Sequence, residues 1–260
     1  MHFIQAVTTI WEREVKRYGR DRARLVSTFF QPIMFLVIFG SGLRNPLSAG
    51  GLGVDYLKFM YPGIIAMNVM GIAFFSSIST VWDREFGFLK EILVAPVPRS
   101  AIVLGKALGA TTIASVQALV LLILAPFIKV SIDPRTVFHL FVFMLLLSFA
   151  ISAMSLVIAS IMKTMESFGV LMQLFIFPMF FLSGAFFPLT TAPHWMQIIS
   201  RINPLTYGVD SMRQILLAPQ TDPAVLTKIT LQPIYLNVIS LAIFAMIMIS
   251  ISIVNFRKKD

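Results

Sequence analysis

Six stretches of this chain contain no Asp, Glu, Lys or Arg: 25–43, 59–81, 107–128, 137–162, 167–184 and 233–254. They run from 18 to 26 residues and together make up half of the 260-residue chain. About 20 predominantly apolar residues suffice to cross the hydrocarbon core of a bilayer as a helix. A membrane barrel would instead show shorter segments of alternating polarity. Hydrophobic residues reach 57% and charged residues only 13%, against roughly 45–50% and 25% in soluble domains. A compact globule of this size cannot hide so much apolar surface. The expectation is an all-α polytopic membrane protein with six spans in a single transmembrane domain, 1–260.

The polar remainder excludes several chemistries. Without cysteine there is no disulfide framework, thiol nucleophile, iron–sulfur cluster or Cys-ligated zinc. His2, His139 and His194 lack metal-ligand spacing, so no metal or cofactor is expected on this chain. The first apolar window follows 24 residues with six basic side chains and exceeds a secretory h-region, which marks it as an uncleaved span. Six spans place both termini on one side. The segments on that side carry 14 of the 21 Lys and Arg residues, so the positive-inside rule puts both termini in the cytoplasm. The net charge of +9 is then mostly an orientation signal and no indication of nucleic acid.

Residues 3–22 read as an amphipathic helix. Phe3, Val7, Ile10, Trp11, Val15 and Tyr18 recur at helical spacing, while Arg13, Lys16, Arg17 and Arg20 fill much of the remaining face. Such a basic helix ahead of a span lies in the lipid headgroup region. The loop 82–106 is much longer than two adjacent helices require. Within it Glu85, Phe88, Leu89, Ile92 and Leu93 share one helical face, which predicts a short helix over 83–94. Pro96 and Pro98 end it, and Pro98 imposes an extended approach to the next element. A helix with so little of its own chain to pack on reads as a docking surface for a cytoplasmic partner.

Two motif blocks carry a family resemblance. Glu-Ile-Leu-Val-Ala-Pro-Val-Pro-Arg at 91–99, after Arg84-Glu85, resembles the cytoplasmic loop of type-2 ABC exporter permeases, which export drugs, polysaccharides and nodulation factors. Phe-Leu-Ser-Gly-Ala-Phe-Phe-Pro-Leu at 181–189, followed by Ile-Asn-Pro-Leu-Thr-Tyr at 202–207 and by Arg213, is similar to the block after that family's fifth span. The resemblance covers nearly the whole chain. It implies a half-transporter, in which two copies of the permease pair with two copies of a separate ATPase that binds ATP and Mg. The 83–99 loop would be the coupling helix, through Asp83, Arg84, Glu85, Phe88, Leu89, Glu91, Ile92 and Leu93, with Asp83, Glu85 and Glu91 pairing with basic groups of the ATPase. The chain has no Gly-x-x-x-x-Gly-Lys-[Ser/Thr] sequence, so a catalytic ATPase role is not expected of it. The cargo implied is hydrophobic or amphipathic: a drug-like compound, a lipid or a lipid-linked glycan.

The outer segment 184–217 has its own logic. Gly184, Pro188, Pro193 and Pro204 interrupt helix repeatedly, while charge is absent from 167 to 200. Broken helix at membrane depth survives where protein or a water-filled cavity satisfies its backbone. This predicts a re-entrant helical segment that narrows the outer exit, with Gly184, Pro188, Trp195, Asn203, Pro204, Tyr207 and Arg213 as gate candidates. An ordinary external loop with aromatic anchors is the alternative.

Within the spans Gln31, Asn68, Gln117 and Gln173 stand out, beside a cluster at Ser76, Ser77 and Ser79. Such groups face protein or water, either as interhelical hydrogen bonds or as a pathway. The family places spans one, two and five along the dimer axis, which would put Gln31, Asn68 and Gln173 there. Gly40, Gly42, Gly63 and Gly71 are expected to permit close helix contacts. Two other classes remain: a secondary carrier or channel, which would need ionisable groups at mid-bilayer, and a hydrolase using Ser183 with His194 or His139, which lacks an orienting carboxylate.

Overall fold

The computed structural model describes residues 3–42, 54–87, 97–130 and 132–257. Among these there is no strand. Ten α-helices follow in order: α1 Phe3–Arg20, α2 Arg22–Gly42, α3 Tyr56–Glu85, α4 Arg99–Leu121, α5 Pro134–Ile161, α6 Met165–Phe181, α7 His194–Ile202, α8 Pro204–Leu217, α9 Pro223–Ile229 and α10 Ile234–Arg257. A 3₁₀ segment, Leu122–Ile128, prolongs α4 to the end of its apolar window. The chain is an all-α integral membrane protein.

Length and apolarity together qualify four helical units as spans among the described residues: α3, α4, α5, and α10 with α9 leading into it. The pair α1 and α2, bent by 71°, makes a fifth at most, and α6 at 17 residues is shorter than a usual span. The six-window pattern thus maps onto helices of unequal length.

The core forms where α3, α4, α5 and α8 converge. In α3 and α4, 72% of the most apolar window is buried inside the protein, against 22% for α10, so α10 is a peripheral helix with an exposed apolar face. Helix ends follow local chemistry. The Asp55 carboxylate caps α3 by accepting from the Leu57 N–H at 2.9 Å. Thr164 caps α6, and Asn203 caps α8 ahead of Pro204 at its first position. Pro98 is extended (φ −59°, ψ 134°) and starts α4, as its sequence position required.

Two glycines show where close approach is real. A Cβ on Gly63 would stand 2.5 Å from Ala185 Cβ, so α3 and the chain after α6 touch through that position. A Cβ on Gly71 would meet nothing within 4 Å. Among the described residues Gly71 therefore makes no close helix contact, contrary to expectation; it borders a cleft. Gly40 and Gly42 stand in the last turn of α2.

Candidate functional site

Helix α1 is seated against α4 by small residues. Cβ atoms on Gly105 and Gly109 would fall 2.7 Å from Ile10 Cβ and 2.8 Å from Glu14 Cβ. Trp11 Nε1 donates to Thr112 Oγ1 at 3.0 Å on the same contact. The close seat turns Glu14 inward, to meet Asp83 from the last turn of α3 and Lys106 from the first turns of α4. Lys106 Nζ lies 2.8 Å from Asp83 Oδ2, 3.4 Å from Glu14 Oε1 and 3.3 Å from Ser79 Oγ. An ammonium has three N–H groups, and these three acceptors use all of them. Arg13 adds contacts of 2.9 Å to Asp83 and 3.0 Å to Glu14. Burial alone would raise the Glu14 pKa, but the Lys106 and Arg13 charges and their hydrogen bonds outweigh it and hold the carboxyl below its ordinary value.

This cluster relocates several predicted coupling residues. Asp83, Arg84 and Glu85 form the last turn of α3 rather than the start of a separate helix. Arg84 donates to the carbonyls of Ala159, at 2.9 Å, and Met162. Glu85 accepts the Met165 N–H at 2.9 Å, at the start of α6. The carboxylates of Asp83 and Glu85 are thus engaged within this chain. The helix then breaks at Phe86 and at Gly87, whose φ of +78° suits glycine. Phe88, Leu89, Glu91, Ile92 and Leu93 lie outside the described residues.

Above the cluster, α2 leans on α3 and leaves a cleft of about 620 Å³. Gln31 and Asn68 line it together with Thr28, Met67, Gly71 and Phe75. The Asn68 amide nitrogen donates to Thr28 O at 3.0 Å, while its Oδ1 is buried without a hydrogen-bond partner. Gln31 Nε2 reaches Met67 Sδ at 3.9 Å. Two of the three pathway candidates therefore share one cavity. Gln173 is not among its lining residues and stands on the exposed face of α6. Gln117 is buried in α4 away from this cleft, with neither side-chain polar atom hydrogen-bonded.

Aromatic rings gather one and two turns further along α2. Phe35 and Phe39 meet Phe180 and Phe186: ring centroids are 4.8 Å apart for Phe180–Phe186, 5.7 Å for Phe39–Phe186 and 6.1 Å for Phe35–Phe180. The Tyr56 hydroxyl, donating to Phe186 O at 3.1 Å, fixes the strap that bears this ring.

The predicted gate residues hold that strap in place. Gly184 has φ +77°, and its carbonyl accepts from Arg213 at 2.8 Å. The Arg213 guanidinium is buried, contacts Phe59 O at 3.4 Å and lies 3.8 Å from the Phe59 ring centroid. Asn203 Nδ2 donates to Met179 O at 2.6 Å, and the Tyr207 hydroxyl to Arg201 O. Pro188 precedes a 3₁₀ turn, Leu189–Thr191, and Trp195 is exposed on α7. Ser183, weighed above as a nucleophile, is buried and donates to Phe180 O. His139 is exposed and contacts Arg135 O at 2.7 Å through Nδ1.

Sequence reasoning missed the Glu14–Asp83–Lys106 cluster and the Phe35, Phe39 and Phe186 rings. Gly105 and Gly109 flanking the only charge in mid-helix α4 were the available signal for the cluster. For the rings the signal was Phe at 180, 181, 186 and 187 around a Gly, opposite Phe35 and Phe39 at i, i+4 spacing.

Comparison with known proteins bears directly on this architecture. Residues 5–217 match the model of the ABC-2 type transporter family. The chain belongs to that family. It is similar to the putative transport permease ycf38 of Cyanophora paradoxa, 32% identical over 215 residues that cover 81% of this chain and 74% of the relative. It is 28% identical over 230 residues to the inner membrane transport permease YadH of Escherichia coli K12, covering 85% and 87%. The probable multidrug ABC transporter permease YbhR of the same organism is 31% identical over 166 residues, 63% of this chain and 45% of that protein. The chain is a membrane transport permease, and membership in the family implies association with an ATPase partner.

Proposed function

We propose that this permease is the membrane half of an ATP-driven exporter. Two copies assemble with two ATPase subunits, which carry ATP and Mg, and move a hydrophobic or amphipathic molecule out of the cytoplasm or the inner leaflet. The observation that carries this reading is the α2/α3 cleft, in which Gln31 and Asn68 face an apolar cavity, with the ring cluster of Phe35, Phe39, Phe180 and Phe186 one and two turns further along α2.

In this reading the termini are cytoplasmic, so the ion cluster lies at the inner end and the ring cluster at the outer end. The ATPase seats on 86–98, where Phe88, Leu89, Glu91, Ile92 and Leu93 supply the contact surface. Asp83, Arg84 and Glu85 act from beneath it by fixing the end of α3 to α1, α4, α5 and α6. A push on that segment then moves the inner ends of α3 and α4 together with α1, which continues through its 71° bend into α2, one wall of the cleft. The segment 184–217 closes the outer exit as a re-entrant strap under Arg213, and the cleft faces the second copy across the dimer axis.

The test is co-purification and transport. The substitutions Glu91→Arg and Leu93→Ala are expected to abolish retention of the ATPase and ATP-dependent export. Unchanged assembly with unchanged export refutes the coupling role, and nucleotide-independent flux by this chain alone supports a carrier or channel instead.

A further inference from the structure

The α2/α3 cleft does not end at its apolar part. A second cavity of about 330 Å³, lined by Glu14, Arg17, Arg20, Ser76, Ser79 and Trp82, shares Tyr18, Asp21 and Ile78 with it. The two form one channel-like groove along α3, from Ile64 to Trp82. At 1.5 Å per residue that is about 27 Å. One end is mostly apolar, with Gln31 and Asn68 in its wall, and the other carries Arg17 and Arg20, the carboxylates of Glu14 and Asp21, and two serines.

The charges at the polar end do not cancel. Glu14 and Asp83 are taken by Lys106 and Arg13 at 2.8–3.4 Å. Arg20 and Asp21, of opposite sign, also line the cavity. Counted together, the four cations Arg13, Arg17, Arg20 and Lys106 exceed the three carboxylates Glu14, Asp21 and Asp83 by one. The Arg17 guanidinium makes a long ion pair with Asp83 Oδ1 at 3.8 Å, beyond hydrogen-bond distance, and lies over the Trp82 ring at 5.3 Å. Guanidinium is a fork of donors suited to phosphate and carboxylate oxygens, and here it lies against an aromatic face. Further along, Asn68 Oδ1 is buried without a partner and Gly71 leaves open space beside the groove.

We propose that this groove takes an amphiphile with an anionic head and one long apolar chain, the head on Arg17 above Trp82 and the chain between α2 and α3. The proposal rests on the reading of the cleft as the transport path and adds the class of molecule that fits it. The mouth lies where α1 crosses the inner ends of the helices, so the ligand enters from the inner leaflet chain-first and its head stays at the mouth against Arg17. A zwitterion lacks the net charge that Arg17 selects, and a cation is repelled.

The experiment uses the full-length permease in neutral phosphatidylcholine nanodiscs, with Trp11→Phe and Trp195→Phe leaving Trp82 as the only indole. Tetradecyl phosphate, tetradecylphosphocholine and tetradecyltrimethylammonium are titrated against Trp82 fluorescence. The expected result is binding of tetradecyl phosphate at least tenfold tighter than of the other two. Arg17→Gln removes that preference, and Gly71→Phe, which places a ring in open space and leaves the helix contacts alone, weakens all three. Equal affinity for the three heads overturns the proposal, as does unaltered binding in Gly71→Phe. Competition by inorganic phosphate alone at the affinity of tetradecyl phosphate also overturns it, because the site then reads a free anion. The outcomes separate from those of the permease reading: ATP-driven export with no head preference removes only this inference, whereas selective binding without ATP-driven export removes the exporter and leaves the site.

Discussion

Lys106→Met tests the anchoring of α1 with the largest expected effect. The methionine keeps the length of the stem and removes the ammonium, whose side chain is only 2% exposed. Glu14 and Asp83, 7% and 8% exposed, then lose the more deeply buried of the two cations that face both of them. Removing one partner of a buried ion pair costs about 3–5 kcal/mol, because the remaining charge is left uncompensated. Arg13 still contacts both acids at 2.9–3.0 Å, which places the expected loss near the lower end, about 3 kcal/mol. At about 2–4 °C per kcal/mol for a chain of this size, the apparent Tm of the detergent-solubilised protein falls by about 6–12 °C. Glu14→Gln alone costs less, since Lys106 keeps its 2.8 Å contact to Asp83. Combining Lys106→Met with Glu14→Gln and Asp83→Asn recovers most of the loss, because no uncompensated acid remains. A Tm within 1 °C of the parent for Lys106→Met, or a triple variant worse than the single one, refutes the argument that the cluster binds three helices together.

Three further outcomes follow from the same geometry. Gly63→Ala places a methyl 2.5 Å from Ala185 Cβ and 2.8 Å from its Cα, and should cost about 1–3 kcal/mol by overpacking; Gly71→Ala, with nothing within 4 Å, should gain about 0.5–1 kcal/mol, and thermal unfolding reads both. Arg213→Lys should not replace Arg213, since a point charge cannot span Gly184 O and Phe59 O; loss of such charged hydrogen bonds costs about 1.5–3 kcal/mol each, visible as faster proteolysis at 182–193. The pKa of Glu14 is depressed in the folded protein. Its contribution to stability is therefore complete above its ordinary value of 4.5 and is lost as pH falls through the lower, native value. The Tm difference between parent and Glu14→Gln should hold from pH 7 to 5 and shrink below pH 4.5.

What the sequence discloses about this molecule depends on which solvent imposes the pattern. Lipid requires long uncharged runs, so the windows at 59–81, 107–128, 137–162 and 233–254 translate directly into α3, α4, α5 and α10. The shorter run at 167–184 yields α6, which stops at Phe181 because Ser183 and Gly184 turn the chain out of the helix. Periodicity located α1, but not the inward turn of Glu14, which depends on Gly105 and Gly109 some 90 residues away. Asp83 and Glu85 looked available to a partner for the same reason: their counter-groups, Lys106, Arg13 and the Met165 N–H, are tertiary neighbours. Gln31 and Asn68 were selected as rare polar residues in apolar windows, and the crossing of α2 on α3 brings them to one cavity. Gln173 met the same criterion and points away from it.

The most direct test is flux through the cleft. The permease and its ATPase are reconstituted together in proteoliposomes, and movement of a fluorescent acyl amphiphile is followed with and without ATP, for the parent and for Gly71→Phe. Transport that requires both ATP and the ATPase, and that stops in Gly71→Phe while the two subunits still co-purify, is the expected result. Flux that persists without the ATPase, or that passes unchanged through the filled cleft, contradicts it.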